Sequence, residues 1–233
     1  MICQICGAQN SKFSVKCKLC KSFLQNPVRV LNLFEILSEL IFTPTRATHK
    51  IIISERKNYS ILLSFLFGVA ITFDAFYLGK IGERIDNFAF IIFYGFCFGL
   101  VVGVLLLFLL SVVIRILLIL GDEKINVKSI FALVSYLTFP ISFSIFFLLP
   151  AIFAVFGIYY FTESPKPQNL KPIQFYIFTG VNLLLKLYSF ALVTLALKYI
   201  TGSFIKGLIF AVLTSICVVV LLNLLTELFK IIL

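Results

Sequence analysis

Five apolar runs, each long enough to cross a bilayer, dominate this chain and restrict it to folds solvated by lipid. Tyr59–Leu78 holds one charge, Asp74, and Phe88–Leu120 holds only Arg115. Ile130–Phe161 has no charge but carries Pro140 and Pro150. Ile173–Leu197 contains Lys186, and Phe204–Leu225 contains Lys206 near its start. A helix rising 1.5 Å per residue crosses the hydrocarbon in about 20 residues, so each run qualifies. With 61% hydrophobic and 13% charged residues, a soluble core of 233 residues has nowhere to hide the apolar surface. The expected fold is an all-α polytopic membrane protein of about five transmembrane helices with a small N-terminal zinc ribbon. The second and third runs exceed what a bilayer needs and should tilt or protrude. Pro140 is expected to kink the third, and the competing topology folds residues 130–161 into a re-entrant pair.

The basic residues suggest an orientation. The first twenty residues hold four cysteines and several lysines where a signal peptide needs an apolar stretch, so the N-terminus is expected in the cytoplasm. Five crossings then put fourteen Lys and Arg inside, including Lys12, Lys16, Lys18, Lys21, Arg29, Arg56, Lys124, Lys128 and Lys198. Five fall outside: Lys80, Arg84, Lys166, Lys171 and Lys230. This bias follows the positive-inside rule and predicts an inner (cytoplasmic) membrane protein with its C-terminus outside. The net charge of +10 reads as a topology signal, and no nucleic-acid partner is expected, because no soluble aromatic and basic surface accompanies it.

Cys3-x2-Cys6 and Cys17-x2-Cys20 form the sharpest local motif. Two C-x-x-C knuckles can place four thiolates at the corners of a tetrahedron, as structural zinc requires. Gly7 suits the turn of the first knuckle, and Lys21 stands where a second glycine would be expected. Zn2+ is the expected ion, with iron in a rubredoxin-like site and unconnected cysteines as the alternatives. A segment of residues 1–24 cannot build a core alone, so a metal accounts for its folding. Cys97 and Cys217 lie in apolar runs and read as small hydrophobes. His49, the only histidine, is expected to be an interfacial side chain.

Residues 27–57 form an amphipathic connector to the membrane domain of residues 58–233. Between Val28 and Phe42, the apolar Val30, Leu33, Phe34, Leu37, Leu40 and Ile41 recur at helical spacing. Pro27 suits the first turn and Pro44 is expected to stop the helix. Being too short to cross, it should lie along the membrane surface or pack on the bundle.

Within the spans, charges carry a functional hypothesis by default. Asp74 and Lys186 are candidates to pair, with Asn182 one turn from Lys186 on the same helical face. The plainer alternative sends Asp74 to the outer interface and lets Lys186 snorkel. No H-E-x-x-H, G-x-S-x-G or G-x-x-x-x-G-K-[ST] sequence is present, and the chain is not expected to be an enzyme.

The stretch from Asn126 to Pro140 resembles the Yip (Ypt-interacting protein) membrane domain, in which a charged loop leads into a helix with a Gly-Tyr-x-x-x-Pro-like sequence. Ser135, Tyr136 and Pro140 stand at those positions, with serine replacing glycine. The Phe42-Thr43-Pro44 connector, followed by basic residues and the first span, is similar to the entry of this domain in bacterial members, which often carry an N-terminal zinc ribbon. The resemblance extends over roughly residues 28–230. The eukaryotic members imply binding to Rab-type GTPases and roles in vesicle traffic and membrane shape, but their Asp-Leu-Tyr-Gly-Pro motif is absent here, and the bacterial type implies a fold and little mechanism. The expected function is a multi-pass membrane scaffold or adaptor, with the ribbon docking cytoplasmic proteins and the bundle organising or shaping the bilayer. A second copy of the chain is a further candidate partner. The alternative is a transporter or channel for a small solute, ion or lipid built around Asp74 and Lys186.

Overall fold

The computed structural model describes residues 1–26, 30–121, 123 and 125–233. The readings that involve Pro27, Val28, Arg29, Asp122 and Lys124 lie outside them. After the N-terminal ribbon come α1 (Leu33–Phe42) and α2 (Pro44–Ile53), then α3 (Ser60–Gly79) and α4 (Phe88–Leu120). They are followed by α5 (Val127–Leu137), α6 (Phe139–Phe156), a short α7 (Pro167–Leu170), α8 (Pro172–Thr201) and α9 (Phe204–Ile232). Counting α5 and α6 with the turn that follows as one passage, five helical segments among the described residues are long and apolar enough to span a membrane. The chain is an all-α polytopic membrane fold with a small cysteine cluster at its start.

The connector departs from expectation. α1 does end before Pro44, as expected, but Pro44 also opens a second helix. Its ring presets φ, and its missing N–H falls where a first turn has no acceptor for one. α1 and α2 form a hairpin, and Lys50 on α2 donates to Glu35 on α1 at 2.7 Å. Ile36 and Leu40 are buried, whereas Phe34, Ile41 and Phe42 are exposed. α1 therefore has an apolar face on each side of a narrow acidic strip, suited to lying between bundle and lipid. Lys57 follows α2 and donates to the carbonyls of Ile51 and Ile52, closing the C-terminus of that helix.

α3 is the axis of the bundle. Its most apolar stretch is 61% buried within protein, against 11% for α9, which faces lipid over most of its length. The tightest neighbour of α3 is α4, through Gly68 on one helix and Gly95, Gly99 and Gly103 on the other. A Cβ at Gly99 would sit 2.5 Å from Val69 Cα, and one at Gly68 or Gly103 would collide with the opposing backbone. Small residues every four positions let two helices meet backbone to backbone, a major source of association where no hydrophobic effect operates.

The third passage is broken, as Pro140 implies, but it does not double back. Thr138 separates α5 from α6 with φ −87° and ψ 5°, and Pro140 lies in the first turn of α6. The Thr138 hydroxyl donates to the Val134 and Ser135 carbonyls, both at 3.1 Å, where the ladder is interrupted. Contacts with α3 and the turn after it advance in step. Tyr136 donates to Asn58 O at 2.7 Å, Ser142 to Leu63 O at 3.3 Å, and Phe161 lies against Gly82. A re-entrant pair would reverse that order.

α8 ends at Gly202, whose φ of +71° turns the chain straight into α9. Gly207 lets α9 start against the Lys198 backbone. One end of the bundle thus carries the ribbon, α1, α2 and the α8–α9 turn. The opposite end is filled by aromatic rings, including Phe73 with Phe153 at 5.2 Å and Phe76 with Phe229 at 5.0 Å. An odd number of passages puts the two termini at opposite ends.

Candidate metal centre and intramembrane ion pair

The ribbon is one short motif written twice. In its first half, the Cys3 amide donates to Ala8 O, Gly7 to Cys3 O and Asn10 to Met1 O. In its second half, Cys17 donates to Ser22 O, Lys21 to Cys17 O and Leu24 to Val15 O. Gly7 and Lys21 occupy matching left-handed positions, with φ +71° and +59°. Gly7 adopts that region without penalty; at Lys21 the Cβ makes it costly, roughly 1 kcal/mol or more.

These paired turns bring Cys3, Cys6, Cys17 and Cys20 together, with all four sulfurs within 4.8 Å of one another. Cys3 and Cys20 are 3.6 Å apart, and Cys6 and Cys17 are 3.5 Å apart. A tetrahedron with metal–sulfur bonds of about 2.3 Å has edges of about 3.8 Å, so the cluster fits one ion with little adjustment. The Ser22 hydroxyl, helped by the Cys6 and Ile5 amides, pulls the Cys3 thiol down to about 6. The Cys20 amide, foremost, lowers Cys17. The Ala8 amide pulls Cys6 down too, but proton sharing with the Cys20, Cys17 and Cys3 sulfurs outweighs it and pushes Cys6 up to about 12. Four adjacent thiols cannot all ionise unaided; a central cation removes that conflict.

The loop between the halves anchors the ribbon to the bundle. Lys12 donates to Tyr199 O at 3.1 Å and lies 3.8 Å from the centre of the Tyr199 ring. Phe13 packs between His49 on α2 and Tyr199 on α8, with ring centres 6.0 and 6.2 Å away. His49 is thus part of the ribbon's seat. Its Nε2 is buried without a partner, and burial, then the Lys12 charge, lowers its pKa from the ordinary 6.5. The knuckle tips face the other way, leaving Ile5 75% and Leu19 74% exposed.

In the membrane domain the structure brings Asp74, Asn182 and Lys186 together. Lys186 Nζ lies 2.8 Å from Asp74 Oδ2, and Asn182 Nδ2 donates to Asp74 Oδ1 at 3.1 Å. One face of α8 thereby satisfies both carboxylate oxygens of α3. The pair stands between two spaces. On the ribbon side is a chamber of about 310 Å3, walled by residues of α3, α4, α5, α6, α8 and α9. On the far side is one of about 220 Å3, lined by Asp74, Tyr77, Tyr160 and Asn182. Lys186 and Leu222 border both.

Pro140 sits at the α5–α6 break, and Ser135 and Tyr136 brace the same region. Ser135 donates to Phe131 O at 2.8 Å, and Tyr136 is fully buried. No family model, curated protein or solved structure matches this chain. The sequence reading missed the glycine row on α4, although Gly95-x3-Gly99-x3-Gly103 is a small-residue pattern legible without a structure. It also missed Phe13 and Tyr199 as the ribbon's seat, which no local pattern announces.

Proposed function

We propose that this protein is a multi-pass membrane adaptor of the Yip type, with zinc in the four-cysteine site and the ribbon as its protein-docking element. The observation that carries this reading is the division of the ribbon into a seated loop and free tips. Lys12 and Phe13 fix it to α2 and α8, while Ile5 and Leu19 project from the two knuckles beside Lys18 and Lys21. An apolar pair rimmed by lysines complements a protein surface with an apolar centre and acidic edge. Four thiolates complete the shell of the ion and leave no position for a substrate, so the metal's role is structural. The fourteen-to-five distribution of basic residues supports a cytoplasmic ribbon and a C-terminus outside, in the inner membrane.

Photo-crosslinking residues placed at Ile5 and Leu19 in intact cells test this. Discrete protein adducts that vanish in Cys17→Ser are expected, whereas adducts that persist unchanged without the metal site would defeat the docking role. The two spaces flanking Asp74 and Lys186 favour a second reading, a transporter. Selective flux in liposomes, abolished by Asp74→Asn at unchanged stability, would establish it instead.

A further inference from the structure

The chamber on the ribbon side of the ion pair has no part in ribbon docking, yet it is built as a site. Its walls are Phe67, Ile71, Leu110, Ile114, Phe190 and Val218 with their neighbours, and its volume falls at the lower end of small-molecule sites, about 300–1,000 Å3. The space is open on one side, where its lining residue Val219 is 57% exposed, so a chain can enter it from the bilayer. Thr138, Thr214 and Ser215 also line it but donate to carbonyls of their own segments, so two further polar groups interrupt the apolar lining. Ser189 is 4% exposed, lines the chamber, and its Oγ has no partner. Buried hydroxyls are almost always paired, so this one points to a missing acceptor. Lys186, three residues earlier on the same helical face, also lines the chamber. An ammonium carries three N–H donors, and among the described residues Asp74 is the one ion-pair partner of Lys186.

We propose that this chamber binds one fatty acyl chain, with the oxygen of its carboxylate or ester carbonyl held by Lys186 and Ser189. The chemistry of the head follows from these groups: an acceptor oxygen completes the ammonium and the hydroxyl, whereas a cationic head would be repelled by Lys186 and find only hydroxyl oxygens as acceptors. Because Asp74 already balances the lysine charge, the head need not be ionised, and an ester carbonyl meets the same donors as a carboxylate. Water cannot serve in its place throughout, since a buried water needs two to four polar partners and most of this wall offers none. The tail fits the apolar remainder between α3, α4 and α9.

The test uses the full chain in nanodiscs with a diazirine-bearing palmitate analogue, photolysed and mapped by peptide mass spectrometry. Saturable adducts at chamber residues such as Phe190 and Val218 are expected, competed by unlabelled palmitate and not by hexadecane. Ser189→Ala, which leaves the Asp74–Lys186 pair intact, should weaken binding about tenfold, as for loss of one hydrogen bond to a charged group. Ser189→Phe, which fills the chamber, should abolish labelling. Should that variant misfold, Ser189→Ala still decides, with unchanged melting as its control. Labelling that rises when the nanodisc phospholipid is exchanged for an ether-linked one, which lacks the ester carbonyl, would assign the site to an intact lipid. Adducts confined to lipid-facing positions such as Leu184 and Ile209, or labelling unchanged in Ser189→Ala, would overturn the site. Equal competition by hexadecane would overturn the role of the head group.

Discussion

The ribbon and the bundle share one order, a polar centre under an apolar exterior, but reach it by different means. In the ribbon, the polar ligand set is central and aliphatic side chains such as Ile5 and Leu19 stand outside. In the bundle, charge is also central, at Asp74 and Lys186, and the exterior is apolar because lipid covers it. The difference lies in what holds each part. About two dozen residues have too little core, so paired backbone turns and a four-cysteine cluster able to hold a metal must do the work. Helices in lipid gain nothing from burying apolar surface, so close backbone approach and satisfied polar groups must do it.

The largest expected effect tests the independence of the two parts. Purified protein should hold about one zinc per chain, and stripping it with a chelator, or Cys17→Ser, should unfold the ribbon. Metal binding to such modules is worth about 10 kcal/mol or more. Amide hydrogen exchange should then show loss of protection in residues 1–24 and retention in α3 and α4. Joint loss in both would break the comparison, and iron in elemental analysis would replace zinc with the rubredoxin-like alternative.

Next comes the glycine seam. Gly99→Leu forces α3 and α4 apart and should cost more than about 4 kcal/mol, in the range of severe overpacking. Thermal unfolding in detergent would report it, with zinc content unchanged in whatever protein folds. Wild-type melting would show that the close approach of these helices is not what stabilises the bundle.

The ion pair should matter less. Asp74→Asn leaves Lys186 without its counter-charge, at a cost of about 2.5–3.5 kcal/mol on insertion scales. Adding Lys186→Met should recover much of that loss, as when other buried pairs are exchanged for apolar groups. Melting temperatures of the two single variants and the double variant give the coupling directly. A double variant as unstable as Asp74→Asn would exclude a simple pairing role.

The smallest effect lies where the two parts meet. Burial and Lys12 lower the pKa of His49, so the seated ribbon binds fewer protons there than the released one. The seat's stability is therefore fully present above about 6.5 and is lost as pH falls through the window below it. Protection factors in residues 11–14, taken relative to intrinsic exchange at each pH, should fall on acidification. His49→Phe should flatten that response, and a response unchanged in the variant would locate the titrating group elsewhere.

Much of this was legible in the sequence because it is local. Run length and composition gave the spans, and cysteine spacing gave the ligand set. Asp74, Asn182 and Lys186 could be named because charge in lipid is scarce and residues four apart share a helix face. The second connector helix was not legible, since proline both ends helices and begins them, and only the packing of Ala47 and Ile51 decides for Pro44. The chamber was hidden for a different reason: its walls come from five spans, and no single segment carries its signature. Ser189 in particular looks like any serine in a membrane helix until its surroundings are known.

α8 has a mechanical consequence. Between Lys186 and Tyr199 it runs without glycine or proline, a straight rod of about 20 Å at 1.5 Å per residue. One end of that rod grips the α3 carboxylate beside the chamber; the other end carries the ring and carbonyl on which Lys12 rests. A swivel of α8 that loosens the first grip must carry the second with it, so a tilt deep in the bilayer becomes a displacement of the ribbon. Force on the ribbon runs back along the same lever.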